Sequence, residues 1–409
     1  MTIPYNPPFL LAAILVALIS HLSAQERPFD PSPHKSAGKP ADNGSKTTLK
    51  YAVPGPWGKL EYYPLFIEPP DDYLRSQPSW NSHLTGTVWA FHNQSLDQVR
   101  ATLNETGLSP AIIDGLVASA VDEPDTSRIS ITVPEDVIIS LSPVTRERLY
   151  QKIGDPNGPD PFSKPFGIDP LGFQVMAEGS QLSPESISLI SALTYTRSGR
   201  TLFSDIALVS ARQPGEAGRL ILFGTLFRTP SLVVRLRLEP GSDLSGIAGY
   251  WSTGGRKKDV QTLLNSFGSA ADSIDLVHLL PPTPRMLLNT FPGRMMSLGR
   301  TFPDCFWTAM NFLSEEPSDR YLDAQWLGRW LAESYEEVQH PLQFGDVILF
   351  TDAGDGTALH ACNYVADDLV FTKNGRSLLK PWTLQSLDDL LNHYQTEQGI
   401  TVSIFRKRL

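Results

Sequence analysis

Phe302-Pro303-Asp304-Cys305-Phe306-Trp307, Gly345-Asp346-Val347-Ile348-Leu349-Phe350 and Leu359-His360-Ala361-Cys362-Asn363-Tyr364-Val365 are the segments whose reading decides the fold of this chain. In the first, Asp304 is a good helix N-cap, and Phe306, Ala309, Met310 and Leu313 follow at helical spacing. Cys305 then falls in the first turn, where the partial positive charge of the helix end favours a thiolate. In the second, four successive apolar residues after Gly345-Asp346 have the pattern of a strand covered on both faces. The third alternates: His360, Cys362 and Tyr364 point one way, and Leu359, Ala361, Asn363 and Val365 the other. A thiol needs a base nearby to attack at neutral pH, and imidazole suits that task.

The rest of this segment extends the pattern. Residues 323–338 read as a second helix, with Trp326, Leu327, Trp330, Leu331 and Tyr335 forming a core face. Asp352 and Asp355 fall in a turn-rich stretch and read as turn residues rather than calcium ligands. Residues 369–374 give a strand that ends in the turn signal Asn374-Gly375, residues 384–391 a helix, and residues 401–405 a closing strand.

Helix, helix and a meander of strands is the layout of a papain-like catalytic half. Residues from about 300 to 409 resemble the NlpC-type cell-wall peptidases and, more loosely, the CHAP amidases. The Gly345–Phe350 stretch matches that family's Gly-Asp-hydrophobic strand. His360, Tyr364 and Val365 match its His-Val-Gly-Ile-Tyr-Leu strand at three places, and Asp304-Cys305 matches its Asp-Cys. The resemblance implies a cysteine nucleophile at Cys305, a general base at His360 and a polar residue on the next strand that orients the imidazole. Thr372 fits the family spacing for that residue; Asn374 has the same strand parity and better chemistry, and is preferred. The backbone N–H of Cys305 would contribute to an oxyanion hole. The implied activity is hydrolysis of an amide or peptide bond, with peptidoglycan stem peptides as the family's usual substrate. A catalytically inactive module that binds cell-wall or other peptides, and a thiol acyltransferase, are the rival readings.

This sequence departs from the family at the orienting position, where Thr372 and Asn374 compete, and at two further sites. Phe306-Trp307 replaces the usual Ser-Gly, and Cys362 replaces the small residue two places after the histidine. Helix geometry puts Phe306 on the apolar stripe, hence in the core, and leaves Trp307 to line a substrate groove. Cys362 shares a strand face with His360, so a Cys305–Cys362 disulfide is a further reading to test.

The upstream sequence carries no motif. Residues 51–290 read as an α+β region of unknown fold and role, divisible near 155–170, where Pro, Gly and Asp crowd together. Strands are expected at 86–91, 128–133, 220–227 and 232–238, and helices near 95–103, 111–121, 142–153, 183–195 and 257–267. Residues 281–300 read as an irregular connector to a separate domain at 295–409. The fold class is therefore α+β, with helices packed on an antiparallel sheet in the last quarter of the chain.

Composition bounds the rest. With 409 residues, 41% apolar and 19% charged, the chain is long enough for more than one core. A net charge of -10 and no basic groove argue against nucleic acid as a partner. Residues 9–19 form an apolar run too short to span a bilayer, followed by a small-residue exit with cleavage after Ala24. The expectation is a signal peptide over 1–24, a disordered linker over 25–50 and a secreted, periplasmic or cell-envelope protein. An uncleaved anchor and a buried helix are the alternatives. Two cysteines exclude a disulfide-built scaffold. His278 and His393 have no partner at ligand spacing, and neither a phosphate loop nor a Gly-x-Ser-x-Gly elbow occurs, so no cofactor or metal is expected.

Overall fold

The apolar run at Val347 is covered on both sides in the computed structural model, which describes residues 39–40, 49–123, 127–154, 158, 160–168, 172–252, 255–268, 272–293, 302–339 and 341–408. The expected signal peptide and nearly all of the linker lie outside the described residues. So does the end of the connector, 294–300. Among the described residues no helix is long and apolar enough to cross a membrane.

The architecture is mixed α+β with antiparallel sheets. It divides into two compact units. The first contains Lys46–Pro69 and Thr229–Leu409; the second contains Pro70–Arg228.

The first unit holds the candidate site. Its larger sheet has six strands in the order Tyr335–Val338, Ile400–Lys407, Val347–Asp352, Ala358–Ala366, Leu369–Lys373, Trp382–Ser386. On one face lie the helices Cys305–Asn311 and Ala324–Ser334. There Ala309, Met310, Leu327 and Leu331 pack on Val347, Leu349, Ala361 and Phe405. On the other lies the helix Leu387–Tyr394, whose Leu390 packs with Ile348, Phe350, Cys362 and Val370. Apolar residues on both faces explain why Val347–Phe350 reads as an unbroken hydrophobic run.

Gly345-Asp346 owes its identity to backbone and charge. Gly345 has φ 91°, and a Cβ there would sit 3.1 Å from the Leu313 side chain. The buried Asp346 carboxylate takes a two-pronged bond from Arg406, Nε to Oδ1 at 2.8 Å and an Nη to Oδ2 at 2.6 Å. It also accepts the Gln343 N–H at 2.8 Å. The pair clamps the entry of one strand to the end of its neighbour.

A second sheet in the same unit pairs Lys59–Glu68 with Thr229–Arg237 along their whole length, from Ile67 opposite Thr229 to Lys59 opposite Arg237. Ser273–Asp275 continues it. Its core is continuous with that of the last quarter of the chain: Leu60, Val234, Leu236 and Trp251 join Trp307, Phe312, Phe344, Val365 and Trp382 in one buried cluster. Hydrogen bonds cross as well. Asn289 N donates to Trp382 O at 2.8 Å, and Tyr250 Oη donates to Val365 O at 2.6 Å. The boundary expected at 290–295 therefore does not divide the chain. The connector itself contains a helix, Pro282–Leu287.

In the second unit Val88–His92, Arg128–Thr132 and Val121–Glu123 form one small sheet, and Phe166–Gly167, Arg200–Phe203 and Tyr195–Arg197 another. Ser95 and Gln98 form the reciprocal cap of the helix Leu96–Glu105. Residues 220–227, expected as a strand, belong to the helix Gly215–Phe227. A short apolar run fits either a buried strand or a buried helix, and thirteen residues suit the helix. At the centre, Arg146 Nε lies 3.2 Å from Asp205 Oδ2, and Tyr150 Oη donates to Asp205 Oδ1 at 2.5 Å. Burial raises the Asp205 carboxyl to about 6 against the pull of Arg146.

Candidate active site around Cys305

Cys305 is the first residue of a seven-residue helix. Asp304 caps it, as the sequence indicates: Oδ1 accepts the Trp307 N–H at 2.9 Å, and Oδ2 accepts Arg376 Nε at 3.1 Å. Both carboxylate oxygens are thus engaged, and the charge is offset by a guanidinium. The thiol is buried, and burial together with Asp304 pushes it up to about 12. Hydrogen bonding from the backbone of Ala361 and Phe306, and the charge of Lys373, act in the opposite direction. Cys362 is also buried, and both cysteines are free thiols, so the disulfide reading is not met.

His360 is fully buried. It pairs across the sheet with Phe350 and stacks on Tyr394, with ring centres 4.2 Å apart and planes at 18°. That places the imidazole on the face covered by Leu387–Tyr394. Its strand neighbours Ala361 and Asn363 face the cysteine helix instead, where Asn363 Nδ2 donates to Ala309 O at 3.1 Å. No hydrogen bond joins Cys305 to His360 among the described residues. The Nε2 atom lies 2.7 Å from Thr372 Oγ1, while Nδ1 has no hydrogen-bond partner among the described residues. Burial, with His393 nearby, lowers the imidazole to about 3.

Two expected site residues are placed differently. Asn374, preferred as the orienting residue, donates from Nδ2 to Gln385 Oε1 at 3.4 Å and does not meet the imidazole. It lies just past the strand Leu369–Lys373, where the chain turns at Gly375 with φ 83°. Thr372, the alternative, is the residue beside His360. Trp307, expected to wall a groove, is fully buried. Its indole N–H donates to Asp319 Oδ1 at 3.1 Å, and its ring lies 6.0 Å from that of Trp382. Phe306, expected in the core, is only partly buried. The short helix is enclosed by two apolar clusters, so a single stripe underestimates what it buries.

The sequence reading passed over Lys373. It lies fully buried at the end of the strand Leu369–Lys373, opposite Trp382, with Nζ 5.9 Å from the centre of that ring. Trp382 in turn donates Nε1 to Thr308 Oγ1 on the cysteine helix at 2.9 Å. Lys373 Nζ donates to Gly375 O at 2.5 Å and to Ser377 O at 3.1 Å. Burial lowers the amine to about 7, against the attraction of Asp304 and Cys305. A lysine at the end of a strand that opens Leu369-Val370-Phe371, followed by a turn, was the signal available for it.

No group of three or more His, Cys, Asp and Glu side chains suited to a metal ion occurs among the described residues. No family model, curated protein or solved structure matches the chain.

Proposed function

We propose that this chain is a secreted cysteine hydrolase of papain-like, NlpC-type architecture, acting through Cys305 on an amide or peptide bond. The observation that carries this reading is the setting of the thiol. Cys305 opens an Asp-capped helix laid on the sheet, and the backbone of Ala361 on the facing strand acts to lower the thiol against the opposing effect of burial. Backbone N–H groups at that point favour negative charge on a thiolate and on the oxygen of a tetrahedral intermediate. Cys305 would attack the carbonyl carbon, the amine would leave, and water or a second amine would release the acyl group. Peptidoglycan stem peptides remain the leading substrate class by resemblance.

A specific observation favours a second reading, an inert module of the same architecture. Thiol and imidazole are both buried, and they occupy different settings on the sheet. Incubation of the full chain with peptide amides and peptidoglycan fragments, followed by mass spectrometry, separates the two. The hydrolase reading expects cleavage that Cys305→Ala abolishes. Cleavage by neither protein supports the inert module.

A further inference from the structure

We propose that Lys373, rather than His360, is the proton acceptor for the Cys305 thiol. The inference rests on the reading of Cys305 as a nucleophile and assigns the base that such a nucleophile requires.

The geometry has three parts. Lys373 projects from the sheet face that receives the cysteine helix: its strand partner Trp382 bonds Thr308, one turn beyond Cys305. Its turn also reaches the start of that helix, through the Arg376–Asp304 ion pair at 3.1 Å. Finally, Nζ has two acceptors, Gly375 O and Ser377 O. A neutral amine has two N–H bonds and one lone pair, so both hydrogens are satisfied and the lone pair is left for a proton. An ammonium in the same place would bury a third, unmatched N–H. His360 lacks this relation to the sulfur. Its Nε2 is held by Thr372, and its ring is stacked on Tyr394, on the other side of the sheet.

The titratable groups around Lys373 are Asp304 and Cys305 from the cysteine helix and Lys380 from its own turn, with Arg376 neutralising Asp304. In the resting state the thiol and the amine are both uncharged. As the sulfur attacks, the S–H bond breaks, its proton moves to the lone pair of Nζ, and the S–C bond forms. The ammonium then returns that proton to the departing amine as the C–N bond breaks. In deacylation water loses a proton to Nζ, its oxygen bonds the acyl carbon, and the S–C bond breaks. The sulfur then recovers the proton, and no oxidant or reductant is required.

The test is the pH dependence of iodoacetamide alkylation of the full chain, resolved at Cys305 and Cys362 by peptide mass mapping. The rate at Cys305 should follow the free-amine fraction, with a midpoint near pH 7, well below the ordinary thiol value of about 8.5. Lys373→Met should remove that step and slow labelling at pH 7.5 by about tenfold or more. Lys373→Arg, which keeps a charge but cannot accept a proton, should do the same. His360→Gln should leave the midpoint in place. If Lys373 only ties the turn together, its variants will lower the melting temperature without moving the midpoint, and the proposal is overturned. Should neither lysine variant fold, the native protein decides. A step near pH 7 supports the proposal, and a rise confined to pH above 9 overturns it. Loss of the step in His360→Gln but not in the lysine variants returns the role to histidine while keeping Cys305 as nucleophile. Labelling of Cys305 no faster than Cys362 at every pH removes the nucleophile reading itself.

Discussion

His360 Nε2 lies 2.7 Å from Thr372 Oγ1, and this contact joins two fully buried polar side chains on neighbouring strands of the central sheet. It is the imidazole's one hydrogen bond, since Nδ1 has no partner among the described residues. Thr372→Val keeps the shape and removes the hydroxyl, leaving a second buried nitrogen unsatisfied. The expected loss is about 1–3 kcal/mol, read from urea unfolding. Asn374→Ala, at the position whose carboxamide meets Gln385, should cost less than Thr372→Val. A larger loss at Asn374 would mean that the orienting role belongs there after all.

The same histidine sets an acid limb. Its folded value, about 3, lies below the ordinary imidazole value of 6.5. A depressed group contributes stability that is fully present above the unfolded value and is lost as pH falls from 6.5 toward 3. The raised carboxyl of Asp205 has the opposite sign: its contribution is present below 3.8 and is lost as pH rises through about 6. The two overlap, so the informative quantity is the difference between native protein and His360→Leu. Unfolding free energies between pH 3.5 and 8 should converge at low pH and diverge on the way up to 6.5. A constant difference across the range would show that His360 does not titrate abnormally.

On the cysteine helix, Trp307 and Phe306 exchange the roles that their spacing suggests. Trp307 is fully buried against Trp382 and bonded to Asp319, whereas Phe306 is partly exposed. Trp307→Ala should destabilise by about 3–5 kcal/mol, the usual range for a large buried aromatic, and Phe306→Ala by clearly less. Thermal and urea melts of the two variants decide this. A greater loss at Phe306 would place the helix in the other rotational phase.

Why some of this was legible and some not follows from what a local pattern can carry. The Asp304 cap, the Val347–Phe350 run and the alternation from His360 to Tyr364 depend on neighbours within a few residues, and each appears in the structure as read; Leu359 departs from that alternation, packing with Cys362 and Tyr364 beside a register shift at Phe350 and Thr351. The sheet face that meets the cysteine helix does not follow from alternation. Alternation separates His360 from Ala361 but does not say which of the two faces Cys305, and that depends on helices far along the chain. Lys373 was invisible for a related reason. Its burial is created by Trp382 and by a turn whose carbonyls fold back over its amine, and neither fact is local. Of the upstream sheet only 232–238 was legible as a strand, overlapping Thr229–Arg237; Lys59–Glu68 was not, nor was the partnership of the two with the last quarter of the chain, because a shared core such as Leu60 with Trp382 leaves no spacing signal.

That shared core leads to a prediction about how the chain can be divided. A fragment beginning at residue 294 would keep Trp307, Phe312, Phe344 and Trp382 and lose Leu60, Leu236 and Trp251, which cover them. Uncovered aromatics of that size favour aggregation, so the fragment should be insoluble or unfold without cooperativity. A different cut follows the structure. The strands Lys59–Glu68 and Thr229–Arg237 are antiparallel neighbours with Ile67 opposite Thr229, so the residues flanking the second unit leave and re-enter the sheet side by side. The whole of Pro70–Arg228 is an insertion at the tip of a hairpin. Joining Glu68 to Arg228 through Asn-Gly, the dipeptide suited to a two-residue hairpin turn, closes the strands in their native register. The shortened chain should unfold cooperatively and keep the native labelling profile of Cys305. Loop closure favours this outcome, because a two-residue turn orders the strand pair at lower entropy cost than the long insertion it replaces. Precipitation of the shortened chain, with the native protein soluble under the same conditions, would show that the second unit is required for folding of the first.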